Sequence, residues 1–385
     1  MNVLRLISRN TLRHPLRTSL TITVMAIAVM GFVLIRTFIA AWYAGAAEAS
    51  PNRLVTTNSV SIVFTLPLAY ESKIADVAGV TGVTWAQWFG GTYVDPKNFF
   101  PRFAVDHKTY FDLYPECVVA PDQKEAFMQE RNAALVGKKL ADRYGWKLGD
   151  RIRLQGDIFP GDWDFVVRAI FTMTKESTNE SVMYFHFDYL DERMRAESPM
   201  RAGQVGSFIV RIDDPNNAAA ISERIDALFK NSAAETKTQT EEAFSLSFVQ
   251  MSSSIIAGLQ VISFMIIGII LLVLANTMAM TARERISEYA ILKTLGFSAF
   301  HIVGLVFGES LIIACLGGVG GLVLTLPVIN LAKTALSDFF PVFPLETITY
   351  VLAFASALVV GVVAAIFPVM KALRTSIVDG LRIVD

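Results

Sequence analysis

The chain alternates between long apolar runs and one long stretch of mixed composition. Four runs are long enough to cross a bilayer as helices, because a hydrocarbon core of about 30 Å requires roughly 20 helical residues. They cover residues 19–42, 250–280, 300–330 and 347–370. The block at residues 43–249 has the mixed pattern of a domain that builds its own core in water. The sequence therefore predicts four transmembrane helices and one large domain between the first and the second.

The short segments that flank the apolar runs differ in charge. Lys and Arg are retained on the cytoplasmic side of a membrane. Residues 1–18 contain Arg but no acidic residue, and residues 281–299 and 371–385 are also rich in Lys and Arg, whereas residues 331–346 contain a single Lys. Both termini are therefore predicted to be cytoplasmic, and residues 43–249 to be extracytoplasmic, in a multi-pass protein of a bacterial inner membrane.

The first apolar run has an alternative interpretation as a cleaved signal peptide. The apolar region of a signal peptide spans about 7–15 residues. This run continues past Arg36 to Trp42 and Tyr43, an aromatic pair suited to the outer membrane interface. An uncleaved anchor fits better. Buried helices of a soluble protein are a second alternative, which the length of all four runs disfavours.

The block at residues 43–249 has the periodicity of an α+β domain. Residues 54–66 alternate like a strand, residues 68–78 predict a short amphipathic helix, and residues 80–93 return to strand character. The further predicted elements are a helix over residues 133–144, strands over Arg151–Leu154, Phe165–Phe171 and Ser207–Ile212, and a helix from Asp214 to about Lys230. The second apolar run exceeds the length that lipid requires, so its outer end is expected to form a stalk.

Composition and charge restrict the function. Hydrophobic residues make up 53% of the chain, too many for an ordinary soluble protein. Residues 43–249 contain 22 Lys and Arg against 28 Asp and Glu, a net charge of −6, so nucleic acid is not an expected partner. Cys117 and Cys315 fall in the outer block and in the third apolar run, so they are not expected to pair.

The sequence contains no arrangement of residues typical of an enzyme or a metal site. His107 and His186 are isolated and are expected to have surface or packing roles. Asn179 begins a glycosylation sequon that is attributed to chance. The phosphate-binding pattern GxxxxGK[ST] does not occur. We therefore expect no catalytic residue, no metal ligand and no cofactor in this chain.

Glycines and charges interrupt the apolar runs. Two pairs of glycines have a small-xxx-small spacing, which lets helices approach closely, although glycine is common in membrane helices generally. These candidate packing residues are Gly304, Gly308, Gly317 and Gly321. Arg36 and Glu309 are charges within the runs, and such charges are usually paired or functional. Arg36 has the alternative of extending toward the interface.

Residues 281–299 carry the strongest functional signal. Charged and apolar residues are mixed there as in a short helix that docks on another protein, and Gly296 suits the end of that helix. A helix lying on the lipid surface is the alternative. The candidate coupling residues are Arg283, Glu284, Arg285, Ile286, Glu288, Tyr289, Leu292, Lys293, Leu295 and Gly296.

The same segment closely resembles the cytoplasmic coupling region of MacB/FtsX-type ABC permeases, a family that includes lipoprotein-releasing permeases. The matching positions are Asn276-Thr277, Glu284-Arg285, Glu288, Lys293, Leu295-Gly296 and Gly308-Glu309-Ser310. The resemblance extends to the opening segment, Arg9–Thr18, and to the ending segment, Lys371–Leu381. The outer block resembles the family more loosely, over Ala134–Asp150.

The resemblance implies a permease subunit of an ABC complex. A separate ATPase subunit would bind ATP and Mg²⁺, and its motion would pass through the coupling helix to the outer domain. The expected partners are this ATPase, a second permease in a homodimer or a related heterodimer, a periplasmic adaptor and membrane lipid. The expected task is export or extraction of a lipoprotein, lipid, peptide or amphiphile.

Two other functional classes stay open at this point. An FtsX-like regulator that activates a periplasmic partner, such as a cell-wall hydrolase, is the main alternative. The outer domains of such regulators are generally smaller than residues 43–249, which favours export or extraction. A membrane-anchored enzyme is disfavoured because the sequence shows no catalytic arrangement.

Overall fold

The computed structural model describes residues 13–47, 49–174, 180–336, 344 and 346–374, with side chains except at 45–47 and 334–336. These residues form two compact units. The membrane unit comprises the described residues within Met1–Trp42, Ser252–Leu336 and Phe343–Asp385. The outer unit comprises those within Tyr43–Met251.

Twelve α-helices are present in the described residues, besides two short 3-10 helices. They are α1 (Pro15–Ala47), α2 (Tyr70–Ala75), α3 (Tyr110–Leu113), α4 (Pro121–Gln129), α5 (Lys138–Tyr144), α6 (Phe187–Glu197), α7 (Ala218–Leu228), α8 (Glu241–Met251), α9 (Ser253–Glu284), α10 (Ile286–Thr294), α11 (Ala299–Leu336) and α12 (Thr347–Arg374).

The described strands all belong to the outer unit. They are β1 (Arg53–Asn58), β2 (Leu66–Pro67), β3 (Val80–Trp88), β4 (Arg102–Val105), β5 (Cys117–Val118), β6 (Ala133–Gly137), β7 (Arg151–Gly156), β8 (Gly161–Met173), β9 (Met183–His186), β10 (Gln204–Val205), β11 (Ser207–Ile212) and β12 (Thr236–Thr240).

Helices α1, α9, α11 and α12 are each long and apolar enough to cross a membrane. Together with the α/β outer unit, they confirm the predicted fold class of four transmembrane helices and an extracytoplasmic α+β domain. Helix α9 runs to Glu284, beyond the predicted end of the second apolar run. With 32 residues α9 is longer than lipid requires, and the stalk at its outer end stays a prediction. A separate helix of the outer unit, α8, precedes it.

Small residues bring α12 close to its neighbours in the membrane unit. Ala353, Ala357 and Ala364 are buried along this helix, which packs against α9 and α11. A Cβ atom at Gly361 would lie 2.7 Å from the Cβ of Ala314, so a larger residue would separate α12 from α11. Such close backbone approach is typical of helix packing in lipid.

The outer unit is built on a mixed sheet with the strand order β12-β1-β11-β3-β4-β9-β6-β8-β5, and β7 pairs with β8. The β4–β9 and β6–β8 pairs are parallel. The predicted strands at Arg151–Leu154 and Phe165–Phe171 do pair, with Leu154 opposite Trp163. The strand predicted over residues 54–66 ends at Asn58.

The helix predicted over residues 133–144 is wrong for its first half. Residues Ala133–Gly137 form strand β6, which lies between β8 and β9. Ala134 and Val136 belong to one buried apolar cluster, and Ala133 and Leu135 to another. Because both faces of the strand are buried, its sequence shows no polar alternation, and periodicity cannot distinguish such a run from a buried helix.

Candidate functional site

The coupling segment, defined as residues 283–296, contains the end of α9, helix α10 and the turn that follows it. Arg285 interrupts the helical path between α9 and α10. Gly296 has a φ of 83°, in the left-handed region that glycine adopts without a Cβ clash, and it follows the end of α10. The structure thus brings the predicted coupling residues together on one short helix and its two ends.

One side of α10 packs inside the membrane unit. Tyr289 and Ala290 are buried. Leu292 packs against the buried apolar cluster of the membrane unit to which Tyr289 belongs. Burial raises the pKa of Tyr289 to about 12. Lys293 Nζ donates to the carbonyl oxygens of Ala372 and Leu373 at the end of α12, at 3.1 and 3.2 Å. A cation at this position also interacts favourably with the C-terminal end of the helix dipole.

The other side of the coupling segment exposes apolar side chains. Ile291 and Leu295 lie four residues apart, and Leu295 is 69% exposed. Phe300, at the start of α11, is 83% exposed. Sequence reasoning missed Ile291 and Phe300. The i, i+4 spacing of Ile291 and Leu295 was the available signal, whereas nothing local marks Phe300.

Ion pairs connect the coupling segment to the start of α1. Arg13 pairs with Glu288. The two terminal nitrogens of Arg17 donate to the two carboxylate oxygens of Glu284 at 2.9 and 2.8 Å, a bidentate geometry. His14 Nε2 lies 3.8 Å from Glu284 Oε2. The basic residues near the N-terminus therefore have a structural partner in addition to their expected role in topology.

A buried ion pair connects the coupling segment to α11. Arg285 Nη1 lies 2.9 Å from Glu309 Oε2, and the two residues are only 5% and 7% exposed. The next residue, Ser310, donates its hydroxyl to the carbonyl of Gly361 in α12 at 2.6 Å. Arg36 is half-buried and forms no ion pair within the described part of the chain.

The predicted glycine pairs differ in their surroundings. A Cβ at Gly317 would lie 2.5 Å from Met25 Cγ, and one at Gly321 would lie 2.6 Å from the carbonyl oxygen of Ala26. Both glycines therefore lie against α1. A Cβ at Gly304 would have no neighbour within 4 Å, so its predicted packing role has no partner in the described chain. Gly308 is half-buried.

The two histidines of the outer unit are not isolated, contrary to the prediction. Their rings stack with centroids 4.1 Å apart. Burial, together with the nearby His107, lowers the pKa of His186 to about 4. Among the described residues, no group of three or more His, Cys, Asp or Glu side chains could bind a metal ion. The two rings pack face to face against each other.

The cysteines differ in environment. Cys117 is buried in the outer unit, and burial raises the pKa of its thiol to about 12. A protonated thiol of this kind is a weak nucleophile. Cys315 is half-buried in α11. Asn179, which begins the sequon, lies outside the described residues, as do residues 375–385.

Two protein-family models match this chain. The model of a MacB-like periplasmic core domain matches residues 18–228. The model of an FtsX-like permease C-terminal region matches residues 260–377, which include the coupling segment. The first match alone covers more than half of the 385 residues.

A curated relative is similar to part of this chain. An uncharacterized ABC transporter permease protein of Mycobacterium tuberculosis, Rv0987, is 24% identical over 262 residues, which are 67% of this chain and 29% of that protein. The chain thus spans less than a third of the length of this relative.

Two crystal structures are similar to part of this chain. The periplasmic region of MacB from Actinobacillus actinomycetemcomitans is 11% identical, covers 52% of this chain and 94% of its own, and has a TM-score of 0.39. The extracellular domain of the noncanonic ABC-type transporter YknZ from Gram-positive bacteria is 13% identical, covers 49% of this chain and 100% of its own, and has a TM-score of 0.37. From the two family matches, the chain belongs to the MacB/FtsX-type ABC transporter permeases.

Proposed function

We propose that the chain is a mechanical transmission subunit, which carries the ATP-driven motion of a separate ATPase to its extracytoplasmic domain for export or extraction of a substrate. The observation that carries this proposal is the bonding of the coupling segment to the membrane helices. The segment continues from α9, pairs with Arg17 of α1, pairs with Glu309 of α11, and donates from Lys293 to the end of α12. A displacement of this segment would therefore act on all four helices.

The exposed side of the segment supports its use as a docking surface. Ile291, Leu295 and Phe300 offer apolar area to a partner while the opposite side stays fixed. A few side chains that bury in well-packed pockets of the partner typically dominate the energetics of such interfaces. The ATPase of the complex is the proposed partner, and it would bind ATP and Mg²⁺.

The outer unit has a matching connection at the two points where the membrane helices join it. Arg53 follows α1 by a few residues, and Glu241 begins α8, which precedes α9. Arg53 Nε lies 2.8 Å from Glu241 Oε2, and the same oxygen accepts a hydrogen bond from Ser50 N at 2.8 Å. These bonds tie together the two chain segments that would deliver motion from α1 and α9.

The proposed arrangement has cytoplasmic termini and an extracytoplasmic block at residues 43–249 in a bacterial inner membrane. The proposed complex contains two permeases, as a homodimer or a related heterodimer, in contact with membrane lipid. A periplasmic adaptor is a further proposed partner. No catalytic role is assigned to this chain.

Co-purification with the ATPase tests the docking surface. Replacing Ile291 and Leu295 by Asp places charges where apolar contacts form, and desolvating them at an interface is costly. We expect the ATPase to be lost from the purified complex. A matched control replaces Leu148 and Leu228, two exposed apolar residues of the outer unit, by Asp and keeps the ATPase. Wild-type stoichiometry in the first variant would contradict the proposal.

A further inference from the structure

The outer unit contains a cleft of about 1760 Å³, whose lining includes Arg53 and Glu241 of the connection described above. Strands β1, β3, β4, β9 and β11 contribute to its lining, together with α3 and α8. Every residue that lines it belongs to the outer unit. A volume of this size is larger than the usual range for a small-molecule site, roughly 300–1,000 Å³, and can accept an extended ligand.

A row of aromatic rings, here called the aromatic row, follows the cleft. Trp88 and Phe103 meet with centroids 5.1 Å apart, and Phe103 lies 6.1 Å from Tyr184. Tyr184 is 4.8 Å from Tyr110, which is 4.9 Å from Tyr114. All five residues line the cleft. The row therefore offers a continuous apolar and aromatic surface to a long chain or a flat ring system.

Helix α8 contributes a second apolar surface to the cleft. Phe244 and Phe248 are in edge contact, with centroids 5.0 Å apart, and both line the cleft. Phe248 stays partly exposed. The two rings therefore add apolar surface to the wall of the cleft.

The aromatic row leads to a cluster of three charged residues. The Arg53 guanidinium lies over the ring of Tyr114, with its central carbon 4.4 Å from the centroid. Arg53 Nη2 lies 2.6 Å from Glu116 Oε1, and Arg53 Nε lies 2.8 Å from Glu241 Oε2. All three residues line the cleft. Two carboxylates share one guanidinium, so the cluster has a formal charge of −1.

An unpartnered acceptor on the cleft wall provides an independent sign of a ligand. Gln87 is 6% exposed and donates from Nε2 to the carbonyl of Trp88 at 3.0 Å. Its Oε1 atom has no hydrogen-bond partner in the part of the chain that the structure describes. A buried acceptor without a donor is costly, so a ligand whose body carries a hydrogen-bond donor would be favoured at this wall, next to Trp88 and apart from the charge cluster.

We propose that this cleft binds an amphiphile with a single cationic group, such as a primary ammonium, and a long apolar or aromatic body. The ammonium lies against Glu116 and Glu241, and the body lies along the aromatic row. This inference rests on the proposed function and deepens it by naming a substrate class. It also favours transport over regulation of a periplasmic enzyme, because a regulator needs no cleft for a small amphiphile.

The charge cluster selects against the other classes of amphiphile. At the cluster, an anionic head group would have to displace a carboxylate from Arg53, whose three nitrogens already contact Glu116, Glu241 and the carbonyl of Leu113. The exposed Arg201 also lines the cleft, away from the cluster in sequence, and donates to the carbonyl of Ile158. A neutral head group would cover the cluster without compensating its charge. A cation both compensates that charge and interacts with the faces of neighbouring aromatic rings.

Photo-crosslinking of the full chain in lipid nanodiscs tests the inference without ATP or the ATPase. The probe is a long-chain alkylamine with a diazirine in its chain, and the matched probes are the alcohol and the carboxylate of the same chain. We expect the amine to label peptides that contain Trp88, Phe103 or Phe248 at least tenfold more than either matched probe. Labelling of the membrane helices corrects for unequal partition into lipid.

Substitutions test whether Glu116 and Glu241 recognise the amine probe. Glu116→Gln with Glu241→Gln should lower cleft labelling by the amine at least tenfold, while Glu242→Gln, an exposed neighbour on α8, should leave it unchanged. Protease resistance of residues 43–251 shows whether each variant is folded. If the double variant unfolds, Ser207→Phe fills the cleft with the carboxylates intact and should abolish labelling by the amine.

Two results would overturn the inference. Equal cleft labelling by the three probes would show that charge plays no part, and labelling of the membrane helices alone would show that the cleft is not the site. Either result leaves the coupling proposal unchanged, because the ATPase is absent from this experiment. Loss of the ATPase after substitution of Ile291 and Leu295 should likewise leave cleft labelling unchanged.

Discussion

Arg285 and Glu309 form an ion pair of 2.9 Å between the coupling segment and the third membrane helix, and both side chains are nearly inaccessible. A charge in this environment is tolerated because its partner compensates it. Arg285 is the residue at which α9 ends and α10 begins.

Glu309→Gln should destabilise the membrane unit by about 3–5 kcal/mol, because it removes the carboxylate that pairs with the buried Arg285 guanidinium. Replacing both residues by Met removes both buried charges and should recover most of the stability. Thermal unfolding of the purified full chain measures both effects. Asp164→Asn, which breaks the exposed Arg153–Asp164 pair, is the control and should cause no measurable change. Equal destabilisation in the single and double variants would contradict this role of the pair.

Gly321→Ala should destabilise the contact between α1 and α11, because the new Cβ would lie 2.6 Å from the carbonyl oxygen of Ala26. Overpacking of this kind typically costs about 1–3 kcal/mol. The matched control is Gly304→Ala, at a position where the Cβ meets open space. Helix propensity favours Ala over Gly at both sites. The difference in unfolding temperature between the two variants therefore reports the cost of the clash at position 321. Similar unfolding temperatures for the two variants would rule out close packing at Gly321.

The stability of the outer unit should fall as the pH is lowered from about 6.5 to about 4. Burial and the nearby His107 lower the pKa of His186 to about 4 in the folded chain, so the unfolded chain binds a proton first as the pH falls. The stabilisation is complete above the unfolded pKa and is lost as the pH passes through the folded pKa. This difference between the unfolded and the folded pKa corresponds to on the order of 3 kcal/mol of stability.

Protease resistance of residues 43–251 in the full chain, measured between pH 7 and pH 4, follows this loss. Asp106 and Asp188 also lie near the histidine pair, and their charges raise the pKa of His186. His186→Phe should remove most of the pH dependence, whereas His301→Gln, at an exposed position in α11, should retain it. Unchanged pH dependence in His186→Phe would assign the effect to other groups.

The proposed orientation predicts thiol accessibility. In a background without Cys117 and Cys315, a cysteine at Asp122 should react with an impermeant reagent from outside intact cells. A cysteine at Thr294, which is exposed on α10, should react only after the cells are opened. Reaction at position 294 in intact cells would invert the topology.

Local sequence was sufficient for features that depend on length or alternation. The length of the apolar runs predicts the four membrane helices, and the alternation in residues 151–154 and 165–171 predicts two strands, which pair as parts of β7 and β8. Strand β6 was mistaken for helix because burial on both faces removes the polar alternation. Its identity depends on β8 and β9, which are distant in sequence.

Local sequence predicts where the coupling segment lies, but the contacts within both candidate sites depend on residues that are distant in sequence. The sequence locates the coupling segment, but its apolar residues occupy both sides of α10. The division into a buried side with Tyr289 and an exposed side with Leu295 depends on packing against α12. The charge cluster of the cleft joins Arg53, Glu116 and Glu241, which are separated by up to 188 residues. No local pattern predicts such a cluster.

Electron spin resonance distances between the outer unit and the membrane unit test the central claim, that ATP-driven motion reaches the outer domain. Spin labels are placed at Asp122 and at Ile348, an exposed residue near the start of α12, in the complex with its ATPase. We predict that trapping ATP on the ATPase shifts the distance distribution, and that the shift is absent after replacement of Ile291 and Leu295 by Asp. The same distribution with and without ATP, in a complex that hydrolyses ATP, would contradict the account.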